Sequence, residues 1–150
     1  MITITVDTSR FDRMMADFPA AMERARRVAL NQIGNTVRNR TTAAFRSPSL
    51  RPSPWAPRKD KKSTHPLLLK STTMWRSIEY RVTGPDTVVI GSSTKYAPYH
   101  QHGTKNMPAR PFFPIDKYGQ LTPRIMRKIK ADVEAAYKEE IDKVFGNGGG

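Results

Sequence analysis

Residues 77 to 90 read SIEYRVTGPDTVVI. Two runs rich in β-branched and aromatic residues flank Thr83, Gly84, Pro85 and Asp86, a pattern that predicts a β-hairpin with arms Ser77 to Val82 and Thr87 to Ile90. Ile78, Tyr80 and Val82 fall on one face of the first arm.

Working outward, Ile2, Ile4 and Val6 alternate with Thr3, Thr5 and Asp7, the period-2 signature of a half-buried strand, and Thr8 or Ser9 offers a helix cap. From Phe11 to Arg46 the spacing turns helical: Phe18, Met22, Ala25, Ala29, Ile33, Val37 and Ala44 recur at steps of three, four or seven. Pro19 fits the first turn of a long helix and divides it from a short one. Beyond the hairpin, Gly119 ends a loop, and Thr122-Pro123 supplies a cap with proline at the first helical position. Ile125, Ile129, Val133, Ala136 and Val144 then trace an apolar stripe to about Phe145, and Gly146 closes the helix. On its outer face Glu134 with Lys138, and Glu139 with Lys143, read as solvated i,i+4 pairs. The expected class is α+β: a small, mainly antiparallel sheet packed by a long N-terminal helix and a C-terminal helix. One domain over residues 1–145 is expected, with 146–150 as a disordered tail.

The chain carries 26 Lys and Arg against 13 Asp and Glu, a net charge of +13 over 150 residues. Such an excess favours a polyanion or an acidic protein surface as partner. By region the surplus is four in each of 1–46, 47–66 and 67–121, and one in 122–150. Arg24, Arg27, Asn31, Asn35 and Arg38 form a basic polar stripe on the long helix, either a solvated face or a surface turned toward nucleic acid or an acidic neighbour. With no cysteine, disulfides and thiolate metal sites are excluded. No apolar run approaches the roughly 20 residues of a membrane span and no signal-peptide pattern opens the chain, so a soluble, non-secreted protein without a membrane partner is expected.

Residues 47 to 66, SPSLRPSPWAPRKDKKSTHP, contain five prolines and the run Arg58, Lys59, Asp60, Lys61, Lys62. This long proline-rich basic loop reads as an extended arm, with Leu50 and Trp55 as residues that order on contact. The competing reading folds Trp55 back onto its own core.

Residues 96 to 113, YAPYHQHGTKNMPARPFF, hold the densest cluster of unusual residues. His100 and His102 are too few for a metal site, and His65 is the one remaining histidine. No nucleophile elbow, P-loop, HExxH or paired-carboxylate pattern is present, so no catalytic residue, metal or cofactor is assigned and the chain is read as a non-enzyme. Four prolines at 98, 108, 111 and 114 stiffen the backbone, and Gly103 permits a turn. The segment is therefore expected to be strand-like and to present Arg110 for a bidentate grip on a neighbour's carboxylate or carbonyls. Tyr96, Tyr99, Phe112 and Phe113 would be its apolar anchors.

The order Tyr96-Ala97, His100, Gly103-Thr104 and Pro108-Ala109-Arg110-Pro111-Phe112 resembles the signature of the phage virion morphogenesis and tail-completion proteins of tailed bacteriophages. These include neck and tail-terminator components of Mu-like, P2-like and HK97-like phages. Upstream, Trp55 before a basic stretch, then Leu69, Ser71, Met74 and Ser77-Ile78, resembles the same family, with Thr72 where the family has glycine. The likeness covers about residues 55 to 115. It implies a small α+β subunit that forms a ring, six-fold, completing or terminating the tail tube and joining it to the head. Expected partners are copies of itself, other neck, connector and tail-tube proteins, and genomic DNA passing non-specifically through the lumen. The location implied is the virion, with the host cytoplasm during assembly. On this resemblance Tyr96, Ala97, His100, Gly103, Pro108, Arg110, Pro111 and Phe112 form the subunit-interface motif, Trp55, Arg58, Lys59, Lys61 and Lys62 the arm, and Arg24, Arg27 and Arg38 a possible DNA-facing surface. The alternative is a stand-alone basic nucleic-acid-binding protein.

Overall fold

The computed structural model describes residues 2–59, 62 and 73–146. Three strands, β1 (Ile2–Thr5), β2 (Ile78–Val82) and β3 (Thr87–Ser92), form an antiparallel sheet in the order β1-β3-β2. β2 and β3 pair in the register Tyr80 to Ile90, and β1 pairs with the other edge of β3, Ile2 against Ile90. Alternation sets the buried face: Ile2, Ile4, Ile78, Val88 and Ile90 are buried while Thr3, Thr5 and Glu79 are exposed.

Five helices complete the described fold: α1 (Ser9–Met14), α2 (Pro19–Ala44), α3 (Thr73–Arg76), α4 (Ala97–His102) and α5 (Pro123–Phe145). Pro19 opens α2 and Pro123 opens α5, as proline chemistry predicts, while Thr122 holds the N-cap position of α5 without a side-chain cap hydrogen bond. Gly146 ends α5 at φ +66°. The residues beyond it, expected to be disordered, lie outside the described set.

α2 packs on β2 and β3 and also on α5, so its buried surface is wider than one stripe. Ala25, Ala29, Ile33, Val37 and Ala44 are buried as their spacing predicts, and so are Leu30, Gly34 and Thr41. Phe18 departs from the expectation. It stands just before the helix, 39% exposed, against the edge of the Phe145 ring. Small residues on α2 admit close neighbours, and a Cβ at Gly34 would overlap the Tyr80 ring. Thr41 turns its hydroxyl onto the Val37 carbonyl, satisfying a buried donor within the helix.

The acidic residues of α5 are not all solvated. Asp132 and Glu140 are buried against α2, where Asp132 accepts from Thr36 Oγ1 at 2.6 Å and Lys128 Nζ at 2.7 Å. Glu140 meets Arg24 at 3.5 Å and Lys143 at 3.7 Å. Lys143 also pairs with Glu139, as its spacing predicts, but Lys138 pairs with Asp142 and not with Glu134. At the far end Asp12 accepts from Thr8, Arg26 and Tyr137, which ties α1, α2 and α5 together. Tyr137 stacks on Phe11 at 4.9 Å, and burial pushes its hydroxyl pKa up.

Candidate subunit interface

The segment after β3 is a helix followed by a hairpin-like return, not the extended ribbon its prolines suggested. Ala97–His102 is helical because Pro98 occupies the first turn, where a missing N–H costs nothing. Gly103 then takes φ +75°, and a Cβ there would stand 2.7 Å from the Ala109 nitrogen, so only glycine lets the chain turn back this closely. Thr104 N–H donates to Met107 O at 2.8 Å, and Arg110 N–H donates to His100 O at 2.7 Å. Beneath the return, the buried Gln101 accepts from the backbone N–H groups of Phe112 and Phe113, each at 3.0 Å.

The returning strand then meets the proline-rich stretch. Trp55 Nε1 donates to Pro111 O at 2.7 Å. Arg110 Nε donates to Ala56 O and its Nη2 to Pro57 O, both at 3.1 Å. Phe112 is fully buried against Phe45 at 5.0 Å, and Phe45 meets the edge of Trp55 at 6.1 Å. Arg51 closes the assembly: its guanidinium lies 3.5 Å over the Trp55 ring and donates to Ala44 O and Phe45 O at the end of α2. Those bare terminal carbonyls are a natural cation site.

Three expectations are corrected by this geometry. Trp55 is not free to reach a neighbour, because its indole N–H and its ring face are both satisfied within its own chain. Arg110 does make a two-pronged grip on carbonyls, but on those of Ala56 and Pro57 in the same chain. Ala97 and Phe112 are buried core residues and not contact residues. Around the arm, a short 3-10 turn at Pro48–Leu50 precedes the extended stretch. Arg58 is half-buried and Lys59 and Lys62 are exposed, while Lys61, His65, Leu69, Ser71 and Thr72 lie outside the described residues.

Beside the exposed His102, Thr104, Lys105, Asn106 and Ala109, the segment turns two aromatic rings outward. Tyr96 is 41% and Tyr99 56% exposed on α4. Pro108 and Pro111, on the returning chain, are half-buried. His100 lies edge-on to Tyr96 at 5.9 Å with its Nδ1 buried and unpartnered among the described residues. Burial and then the charge of Arg110 hold the His100 pKa below its ordinary value, which keeps the ring neutral. Among the described residues no three His, Cys, Asp or Glu side chains gather as a metal site, and no helix is long and apolar enough to cross a membrane.

The α2 stripe is divided by its surroundings. Arg24 is drawn to Glu140, and Arg38 lies 5.6 Å over the Tyr80 ring while donating to Asn35. Arg27 alone of the three is exposed with no side-chain partner among the described residues. Gln101, Phe45 and Arg51 were not singled out from sequence. Arg51 had a signal, a cation placed just after a helix end, whereas nothing in the pattern marks Gln101 as the residue that holds two aromatic backbone groups.

Residues 6–134 match the phage virion morphogenesis family. The chain belongs to that family. No curated protein and no solved structure gives a match. Both the braced unit, residues 51–57 held against 97–113, and the α2 stripe fall inside the matched range of this virion morphogenesis protein, whose role is that of a structural and assembly component of the bacteriophage.

Proposed function

We propose that this virion morphogenesis protein is a ring-forming subunit of the phage neck or tail. In this reading a six-fold ring completes or terminates the tail tube and joins it to the head. Its neighbours are neck, connector and tail-tube proteins, and genomic DNA passes through the lumen without sequence recognition. A ring contact is heterologous and needs two different, preformed surfaces on each subunit. The observation that carries the reading is the braced unit of residues 51–57 and 97–113, which holds Tyr96 and Tyr99 outward on a backbone fixed from three sides. Exposed aromatics on a rigid frame lose little entropy when they dock, which suits them as contact anchors.

Native mass spectrometry and negative-stain electron microscopy of the purified protein, with antibody labelling of particles, test the proposal. Closed rings and label at the head-tail junction are expected. A strict monomer that is absent from particles overturns it. The second reading, a stand-alone basic nucleic-acid-binding protein, is supported by the charge of +13, and it is separated from the first by the same experiment.

A further inference from the structure

Arginines from three parts of the chain converge at one end of α5. Arg40 of α2, Arg51 of the proline-rich stretch, and Arg124 and Arg127 of α5 line a single cavity of about 320 Å³ together with Ser49 and Thr122. Among the described residues no carboxylate and no aromatic ring lines it. Two of the four cations are occupied: Arg51 caps α2, and Arg124 Nη1 donates to Ser49 O at 3.3 Å. Arg40 and Arg127 have no hydrogen-bond or ion-pair partner among the described residues. We propose that this cavity is a binding site for a phosphodiester group of a nucleic-acid backbone.

Like charges gathered without an anion are unfavourable, and burial adds to the penalty for Arg40, where the Arg124 charge works in the same direction. An arginine does not escape by losing its proton, so the penalty stays until an anion enters. The chain has few carboxylates to offer. Among the described residues six are already in ion pairs and Asp7, Asp86 and Asp116 are held in local turns, which leaves Asp17, Glu79 and Glu134. The guanidinium fork matches phosphate oxygens in pairs, and several forks around one cavity suit a multi-acceptor anion. With no aromatic surface among the described lining residues for a base to stack on, the site holds backbone and reads no sequence. Arg124 in the first turn of α5 and Arg127 just beyond it also face the positive end of the helix dipole, with no acidic residue in that turn, and a bound anion relieves that opposition.

The site is distinct from the α2 stripe and does not depend on ring formation, so it is tested on the isolated full-length chain. Fluorescence anisotropy with a labelled DNA duplex is measured over a salt series for the wild type and for Arg40→Ala/Arg127→Ala. The double variant is expected to bind roughly tenfold more weakly and to lose about 1 to 2 from its salt slope, equally for unrelated sequences. Arg40→Lys/Arg127→Lys, which keeps both charges but not the fork, is expected to keep the salt slope and recover only part of the affinity. Inorganic phosphate raises the melting temperature of the wild type and leaves that of the double variant unchanged. Should the double variant unfold, Arg127→Ala alone, at an exposed position, carries the comparison. Unchanged DNA binding in the variants overturns the proposal. So does a loss confined to a polyglutamate probe, which would assign the cavity to an acidic protein partner.

Discussion

Gly103 and Gln101 hold the candidate interface together by different means, and each makes a sharp prediction. Gly103→Ala meets both a positive φ and a backbone atom at 2.7 Å, so a loss of about 2 to 3 kcal/mol is expected in urea unfolding. Gln101→Ala strands two buried N–H donors and is expected to cost about 2 to 4 kcal/mol. His100 supplies a pH dependence whose sign follows from its environment. Its folded pKa lies below the ordinary 6.5 because burial, and then Arg110, disfavour the charged ring. As pH falls through 6.5 the unfolded chain therefore takes up the proton first, and stability drops until the folded pKa is reached, below which it levels off. His100→Gln is expected to remove that component, seen as a smaller difference in melting temperature between pH 7 and pH 5 than in the wild type.

Among the elements, the contact between α2 and β2 is the most exacting. A glycine in the middle of a helix ordinarily costs about 1 kcal/mol relative to alanine, so Gly34→Ala would stabilise an isolated α2. In the folded protein the added methyl overlaps the Tyr80 ring, and net destabilisation of about 1 to 3 kcal/mol is expected. Chemical denaturation of Gly34→Ala, Tyr80→Ala and the double variant measures the coupling, and additive effects would show that the two residues do not meet. The hairpin, the N-terminal strand and both long helices were legible because each has its own period and punctuation, and the glycine and proline positions agreed with them. What escaped was set by distant partners. The burial of Asp132 and Glu140 depends on Thr36 and Arg24 of another helix, a pairing with no local signature. The prolines of 96–114 pointed to an extended segment, yet proline is equally at home in a first helical turn, and Pro98 took that role. The arginine cavity was hidden because averaging over 122–150 cancels a basic first half of α5 against an acidic second half.

For the whole molecule the surplus of 13 positive charges separates the two modes of action proposed for it. Contacts between copies of a strongly basic subunit are opposed by like-charge repulsion, which salt screens as the Debye length falls from about 10 Å at 0.1 M to about 3 Å at 1 M. Contacts with a nucleic-acid backbone move the other way, because each phosphate neutralised releases counterions and the binding weakens as salt rises. Self-association through Tyr96 and Tyr99 should therefore strengthen between about 0.1 M and 1 M salt while DNA affinity falls steeply over the same range. Sedimentation velocity and anisotropy on one preparation measure both. Tyr99→Ser, at a site 56% exposed and outside the core, is expected to abolish the salt-promoted association with DNA binding intact. Association that weakens with salt would mean that ionic contacts, and not the aromatic face of α4, join the copies.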